Sequence, residues 1–258
     1  MLHQVELDHN NIVITADRQV DCVNSHLPKT VDLGKADKVI HSDCLDQCVQ
    51  QLLSTPIRPL DYLEQATIAP ELDFKKIADV LLNHASVKVN GNSYQIREIE
   101  FYLHQNDHLD LYVHQSKLQQ RFNGLYFHQY KNGTYKSGTY KGMDLTFGHT
   151  DRYFGILVRG LINEADQKIH DGPCLVVNEI LAQYGVKTID QYLALALDLD
   201  NIAQISYHVS HRGATLITGP RIGLSEKCLE YKDKPYRYGI KGARYKRSFN
   251  KRGILVKQ

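Results

Sequence analysis

The stretch VKVNGNSYQIREIEFYL, residues 87–103, decides the fold class. Apolar and polar residues alternate on both sides of Asn90-Gly91, and this dipeptide between alternating runs predicts a two-residue β-hairpin turn. Because successive side chains of a strand point to opposite faces, the second arm predicts one face made of Tyr94, Ile96, Glu98, Glu100 and Tyr102. The hairpin therefore predicts antiparallel pairing at the centre of a sheet.

Helical patterns lie on both sides of this hairpin. Upstream, apolar residues recur at helical spacing in ELDFKKIADVLLN, residues 71–83. Downstream, DGPCLVVNEILAQYG has Pro173 where a helix would begin and Gly185 just beyond its end. Thr188 and Gln191 predict a capping box for one more helix.

Together these elements predict an α+β protein. We expect a single mixed domain with a mainly antiparallel, curved sheet flanked by helices, spanning residues 71–258 and ending in a basic tail. RYFGILVRGLI, residues 152–162, predicts a mostly buried strand of that sheet.

Residues 1–70 are expected to form an N-terminal extension packed on this core. They contain one predicted amphipathic helix near Ser42 to Leu53, followed by a predicted connector with three prolines at 56–70. His41, Cys44 and Cys48 are candidate metal ligands, but no fourth ligand with a familiar spacing follows them.

The composition bounds the location and partners of the chain. No apolar run approaches the roughly 20 residues of a membrane span, and the N-terminus lacks the apolar core of a signal peptide. The five cysteines are scattered and odd in number, which favours free thiols in a reducing compartment. We therefore expect an intracellular monomer without a membrane partner, cytoplasmic or, in a eukaryote, nuclear.

The C-terminal run KGARYKRSFNKR, residues 241–252, interleaves Tyr245 and Phe249 with Lys and Arg. Such a pattern suits phosphate contact combined with base stacking. The alternative is a solvated tail without a specific role.

Two carboxylates on the central strand could carry acid–base chemistry. If the predicted face that holds Glu98 and Glu100 is buried, each carboxylate raises the pKa of the other. If that face is solvated, they are ordinary surface residues.

The segment HQNDHLDLYVH, residues 104–114, is dense in His and Asp. His108, Asp110 and His114 share the parity of one strand face, which suits acid–base work or a Zn²⁺ or Fe²⁺ site, against an ordinary polar loop. Farther along, Arg159 interrupts an apolar run, and a charge in such a place has to be paired or to face a pocket.

These segments, in this order, resemble the alkyladenine (3-methyladenine) DNA glycosylase family. The resembling segments are IREIEFYL, ILVRGL, DGPCLVVNEIL, ITGPRIGLSEK and KPYRYGIKG, and they extend over roughly residues 72–242, about two-thirds of the chain. The resemblance implies a hydrolase like the DNA glycosylases of base-excision repair, which takes a flipped, damaged or modified purine into a pocket. A glutamate-activated water then cleaves the N-glycosidic bond, without a metal or other cofactor.

The resemblance also implies a set of site residues. Glu100 falls on the water-activating glutamate, Tyr102 on the tyrosine that stacks on the flipped base, and Arg159 on the arginine near the catalytic water. Asp110 and His114 reproduce a D-x-x-x-H spacing, which puts His114 on the histidine that contacts the base.

Three positions depart from the family pattern. Lys141 stands where the family has its intercalating tyrosine, so the neighbouring Tyr140 is the candidate wedge and substrate contact. Gly138 replaces a second pocket tyrosine, and Gly148 falls near the discriminating asparagine of the family. The substrate of the family is therefore not inherited with the fold.

DNA is the expected partner, with RNA or a single strand as alternatives. The predicted phosphate contacts are Arg121, Lys136, Lys141, Arg244, Lys246 and Arg247. Two other functions stay open: a non-catalytic nucleic-acid-binding protein on the same fold, and a metal-dependent hydrolase built on His108, Asp110 and His114.

Overall fold

The computed structural model describes residues 58–69, 71–195, 203–208, 210–226, 228–245 and 249, and the backbone alone of 7–8, 11–12, 196–198 and 254–255. The chain divides into two units, Met1–Thr55 and Pro56–Gln258. In the first, β1 (Leu7–Asp8) pairs with β2 (Asn11–Ile12) in antiparallel fashion. The predicted helix near Ser42 to Leu53 and the candidate ligands His41, Cys44 and Cys48 lie outside the described residues.

Five α-helices are described in the second unit. They are α1 (Pro59–Ile68), α2 (Phe74–Asn83), α3 (Pro173–Gln183), α4 (Ile189–Asp198) and α5 (Leu229–Lys232). The prediction of a connector over residues 56–70 is wrong because α1 occupies most of it. Pro59 begins this helix, where its missing N–H costs no hydrogen bond.

The predicted helix signals after residue 170 are confirmed. Pro173 is the first residue of α3, and Gly185 follows its end with a positive φ of 67°. The Thr188 hydroxyl accepts a hydrogen bond from the Gln191 amide at 3.2 Å, and the Gln191 side chain accepts one from the Thr188 amide. This reciprocal pair is the predicted capping box of α4.

One large antiparallel sheet holds the second unit together. Its strands are β3 (Ala85–Val89), β4 (Asn92–Gln105), β5 (His108–Leu109), β6 (Phe122–Phe127), β7 (Met143–Phe147), β8 (Tyr153–Asn163), β9 (Ile169–Asp171), β10 (Gln204–Tyr207), β11 (Leu216–Gly219), β12 (Arg237–Ile240) and β13 (Ile254–Leu255). The main path of the sheet runs β13-β11-β12-β4-β8-β7-β6, and β3, β5, β9 and β10 join it at the sides. The fold class is α+β, as predicted.

Strand β4 is the centre of this sheet, as the hairpin predicted. Asn90 and Gly91 both have positive φ, 45° and 78°, which is the backbone of the tight turn that joins β3 to β4. The 14 residues of β4 pair with β3 and β8 along most of their length and with β12 around Glu100.

A bulge in β4 corrects the predicted strand face. The register with β8 shifts on both sides of Glu98, which reverses the alternation of side chains at that point. Tyr94 and Ile96 therefore belong to the hydrophobic core together with Ile99. Only Glu98, Glu100 and Tyr102 keep the predicted common face.

Helix α2 covers part of the core side of β4. Its residues Ile77 and Leu81 are fully buried, as the helical spacing predicted. Phe74 stacks on Phe101 of β4 with ring centroids 4.4 Å apart, an arrangement that adds to the burial of apolar area. In the described part of the chain, every helix is too short or too polar to cross a membrane.

Candidate functional site

Glu100 lies at the middle of the sheet, fully buried, with both carboxylate oxygens engaged. One oxygen, Oε1, accepts a hydrogen bond from the Ile222 amide at 2.8 Å and lies 3.3 Å from Nη1 of Arg159. The other, Oε2, accepts a hydrogen bond from the Tyr102 hydroxyl at 2.9 Å. The structure therefore brings together Glu100, Arg159 and Tyr102, which come from β4 and its neighbour β8.

Burial dominates the electrostatics of this group. It raises the pKa of Glu100 above the usual range of a glutamate, and the attraction of Arg159 only partly offsets it. For Arg159, burial alone would lower the pKa, but Glu100 and Glu98 together raise it, so the guanidinium stays charged. Burial and Glu100 also raise the pKa of Tyr102 well above 10, which keeps its hydroxyl protonated as a donor.

Glu98 belongs to an ion cluster next to this group. Its Oε1 accepts hydrogen bonds from Nε of Arg159 at 2.9 Å and from Nε of Arg237 at 2.6 Å. The side chain is 2% exposed, so the face that holds the two glutamates is buried and not solvated. Arg159 bridges Glu98 and Glu100, and this is the pairing that a charge inside an apolar strand requires.

A cavity of about 340 Å³ opens beside Tyr102. Its wall consists of Tyr102, Tyr112, His114, Gln119, His128, Lys136, Tyr140, Asp144 and the segment Ile222, Gly223 and Leu224. Glu100 itself does not line this cavity, but two residues that donate hydrogen bonds to it, Tyr102 and Ile222, do. Ring-bearing walls with a few polar groups are typical of pockets for planar organic ligands.

His114 lies in the cavity wall, as does Tyr102. Its Nδ1 is 3.2 Å from the Tyr126 hydroxyl and its Nε2 is 3.2 Å from Nζ of Lys136. The imidazole therefore faces the same cavity as Tyr102, while the Glu100–Arg159 pair lies behind the wall.

A histidine–carboxylate pair in the same wall was missed by the sequence analysis. Nε2 of His128 lies 2.7 Å from Oδ1 of Asp144, and Gln119 donates a hydrogen bond to Oδ2 of Asp144 at 3.0 Å. The rings of His128 and His114 lie in edge contact at 4.5 Å. Asp144 is 2% exposed, so the carboxylate holds the imidazole from behind.

Two glycines make room for this pair. A Cβ atom at Gly142 would lie 2.6 Å from Nδ1 of His128, and one at Gly155 would lie 2.5 Å from Oδ2 of Asp144. The pairing of β6 with β7 places Tyr126 opposite Asp144, and His128, two residues after Tyr126, therefore lies on the same face as Asp144. Because this strand pairing was not predicted from the sequence, the contact between His128 and Asp144 was not predicted either.

Asp110 and His108 lie away from the cavity surface, and this corrects two predictions. Asp110 is fully buried and pairs with Arg221 at 2.6 Å, so it cannot contact a substrate directly. Nδ1 of His108 lies 2.9 Å from the Leu103 carbonyl oxygen and its Nε2 lies 2.9 Å from the Tyr236 hydroxyl.

The predicted common strand face of His108, Asp110 and His114 does not form. Strand β5 contains only His108 and Leu109. Among the described residues, the three side chains do not form a group that could share a metal ion. The structure thus gives no support to a metal-dependent hydrolase built on them.

Gly148 excludes any side chain at the position that resembles the discriminating asparagine of the glycosylases. A Cβ atom there would collide with the carbonyl oxygens of Gln119 and Arg152. This chain therefore cannot present an asparagine from that position.

Gly148→Ala is expected to lower the free energy of unfolding by about 1–3 kcal/mol, since the atoms that have to move belong to the backbone. Urea unfolding followed by circular dichroism measures this loss. Gly219→Ala is the matched control, because a Cβ there meets only Phe249 at an ordinary 3.4 Å. Equal stability of the two variants would show that the loop around Gly148 yields easily.

The predicted nucleic-acid contacts fall into three groups. Arg121 and Arg244 are exposed, and Lys141 is half-buried beside Tyr140. Lys136 lines the cavity. Lys246 and Arg247 lie outside the described residues.

The aromatic residues of the basic C-terminal run do not serve as stacking platforms, which corrects the sequence interpretation. Phe249 is 8% exposed and lies under Arg237, with 3.8 Å between the guanidinium carbon and the ring centroid. The Tyr245 hydroxyl donates a hydrogen bond to the Ile240 carbonyl at 2.8 Å. Both rings pack against the sheet, and Gly239 leaves space for them because a Cβ there would lie 2.7 Å from each side chain.

Comparison with known proteins adds one relationship. No protein-family model matches the chain. The chain is 39% identical over 202 residues to "Uncharacterized protein L759" of Acanthamoeba polyphaga mimivirus, and the match covers 72% of this chain and 92% of the viral protein. Identity at this level over nearly the whole of a relative places both chains in one family. The protein belongs to the family of mimivirus protein L759.

Proposed function

We propose that this protein hydrolyses the N-glycosidic bond of a nucleotide whose base enters the cavity beside Tyr102. The observation that carries the proposal is the position of Glu100. This carboxylate is paired with Arg159 and hydrogen-bonded to Tyr102 and Ile222, which form part of the cavity wall. Glu100 therefore lies directly behind Tyr102 and Ile222, which form the surface that a bound base would touch.

The reaction needs a water molecule at Glu100. A water molecule that enters between Tyr102 and Ile222 would give a proton to the Glu100 carboxylate while the water oxygen bonds to C1′ of the sugar. The electrons of the broken C1′–N bond leave with the base, which then takes up a proton. Arg159 favours the ionised form of Glu100 against the effect of burial and orients the carboxylate, as a general base requires.

The cavity offers both kinds of contact that a base needs. Tyr102 and Tyr112 supply aromatic surface for stacking, which is worth about 1–3 kcal/mol per base. Lys136 lies in the wall beside His114, and a hydrogen bond from its ammonium group to the edge of the base would ease negative charge on the leaving group.

The mouth of the cavity carries groups suited to a nucleic-acid strand. Tyr140 belongs to a short 3₁₀ helix (Gly138–Tyr140) and is 73% exposed although it also lines the cavity. Lys141 follows it directly, and Lys136 lies in the wall. An exposed ring beside a base-sized opening is suited to fill the gap that a flipped nucleotide leaves.

A second candidate is a protein that binds a flipped base without cleaving it. The complete burial of Glu100 favours this candidate, because both of its carboxylate oxygens already accept hydrogen bonds within the protein.

One assay separates the two functions. Oligonucleotides with alkylated, deaminated or unmodified bases, as duplex DNA, single-stranded DNA and RNA, are incubated with the full chain. Base release and binding are then measured in the same samples.

Release of one class of base supports the hydrolase. Binding that prefers one class of base, with no release of any base, supports the protein that binds a flipped base without cleaving it. If the chain neither binds nor releases any of these bases, both candidates are wrong.

The hydrolase has an expected pH dependence. Glu100 accepts a proton only when it is ionised, and burial raises its pKa above the usual range of a glutamate. The rate of base release should therefore fall as pH is lowered through this raised pKa, at a higher pH than an exposed glutamate would give. Single-turnover rates across the pH range measure this limb, with circular dichroism at each pH to confirm that the chain is folded. A rate that is independent of pH on the acid side contradicts the assignment of Glu100.

Tyr140→Ala is expected to weaken binding of a duplex that carries the recognised base by about tenfold. Loss of one stacked ring costs about 1–3 kcal/mol. Fluorescence anisotropy with a labelled duplex measures the affinity. Tyr130→Ala is the control, since Tyr130 is also exposed but does not line the cavity. Equal affinities of the two variants would remove Tyr140 from the interface.

A further inference from the structure

A second group of polar side chains lies at the end of α2, apart from the residues that line the cavity. Asp79 is in the last two turns of α2, His84 follows the helix directly, and His211 lies in the loop between β10 and β11. One ligand atom of each residue lies within 4.8 Å of those of the other two. Two imidazoles and one carboxylate are a donor set suited to divalent transition metals.

The distance between Asp79 and His211 agrees better with a shared ion than with a direct bond. Nε2 of His211 and Oδ1 of Asp79 are 3.5 Å apart, beyond the usual length of a hydrogen bond. Two ligands bound to one tetrahedral Zn²⁺, each at about 2.0–2.1 Å, lie about 3.3–3.4 Å from each other. A modest rotation of these side chains, which are 39% and 44% exposed, closes the difference.

Backbone contacts orient the histidine rings. Nδ1 of His84 lies 3.3 Å from the His208 carbonyl oxygen, so Nδ1 carries the proton and Nε2 keeps its lone pair. Nδ1 of His211 accepts a hydrogen bond from the Gly213 amide at 2.8 Å. Binding of a metal through Nε2 of His211 moves the ring proton to Nδ1 and releases this contact. Gly213 is exposed, so its amide can bond to water instead.

Asn83 holds the two parts of the group in place. This side chain is fully buried and donates a hydrogen bond to Oδ1 of Asp79 at 2.8 Å. It also accepts one from the Ala214 amide at 2.9 Å, and Ala214 belongs to the loop that carries His211. The carboxylate and the loop are thus positioned by one buried amide, as the partners of metal ligands commonly are.

We infer that Asp79, His84 and His211 form a binding site for a divalent transition-metal ion, such as Zn²⁺, that links the end of α2 to the loop between β10 and β11. The remaining coordination positions face solvent and would hold water. The site does not depend on the proposed hydrolysis. Because it joins two segments of the folded chain that are distant in sequence, the metal stabilises the folded state by mass action.

Calorimetric titration of the full, chelator-treated chain with ZnCl₂ tests this site. We expect one Zn²⁺ to bind with low-micromolar affinity and to raise the Tm. His211→Ala and His84→Ala should each weaken binding by at least about tenfold and reduce the rise in Tm at the same Zn²⁺ concentration. Co²⁺ should give the visible absorption of a low-symmetry site in the original chain and lose it in the His84 and His211 variants.

His149→Ala is the matched control, because His149 is an exposed histidine outside the group, and it should bind Zn²⁺ like the original chain. His211 lies in an exposed loop, so its variant is expected to fold even if the His84 variant does not. Two outcomes overturn the inference: no Zn²⁺ binding tighter than millimolar in the original chain, or unchanged affinity in His211→Ala.

Discussion

Glu100→Gln is expected to slow base release by about 10²–10⁴-fold, the usual contribution of a general base, and to leave binding of the same oligonucleotide nearly unchanged. Glutamine has the shape of glutamate and can keep the local bonds. Its oxygen can accept from the Ile222 amide, and its NH₂ group can donate to the Tyr102 hydroxyl oxygen. What it cannot do is accept a proton from water. Single-turnover base release and anisotropy measurements on one preparation separate the two effects.

The control for this substitution is Glu226→Gln, which makes the same chemical change at an exposed glutamate. This control should release base at the original rate. Release by Glu100→Gln at that same rate would refute the role of Glu100. If instead both affinity and rate are lost together, the carboxylate holds the cavity wall in shape and does not activate water.

The pairing of Arg159 shows what a sequence can predict about such a site. A guanidinium inside ILVRGL has to be paired or to face a pocket, because burying an unpaired charge costs several kcal/mol. The sequence thus predicted that Arg159 needs a partner, and the hairpin predicted that Glu98 and Glu100 share a strand face. It did not predict that β8 lies beside β4, and this neighbourhood is what brings the three together.

The bulge at Glu98 shows where local patterns fail. Alternation along β4 predicted that Tyr94 and Ile96 face the same side as Glu100, and each of these residues is compatible with either side of a sheet. Glu98 shares its Oε1 between Arg159 and Arg237, residues 61 and 139 positions away. An ion cluster of such sequence separation leaves no periodic signal in any window of the chain.

The histidines show a related limit. Their density in residues 104–114 predicted one shared site, but His108 bonds to Leu103 and Tyr236, whereas His114 faces the cavity beside His128. The partner of His128 is Asp144, across the pairing of β6 with β7. Composition indicates that histidines are available for chemistry, but strand pairing decides which of them meet.

Asp110→Asn is expected to lower the free energy of unfolding by about 3–5 kcal/mol, because it leaves the charge of Arg221 buried without a counter-charge. Both side chains of this pair are 0% exposed and lie 2.6 Å apart. Urea unfolding measures the loss. Asp61→Asn is the control, since its pair with Arg58 is largely exposed and is screened by solvent, so its loss should hardly change the stability.

The same substitution should also weaken base binding, although Asp110 touches no ligand. Arg221 lies over the rings of Tyr102 and Tyr112, with 4.5 Å and 5.3 Å from its guanidinium carbon to their centroids, and both rings line the cavity. If Asp110 acts only through Arg221, the double variant Asp110→Leu, Arg221→Met should be less destabilised than the sum of its two single variants. Additive losses in that cycle would mean that the two residues stabilise the wall independently. The buried pair would then not be what holds the tyrosines in place.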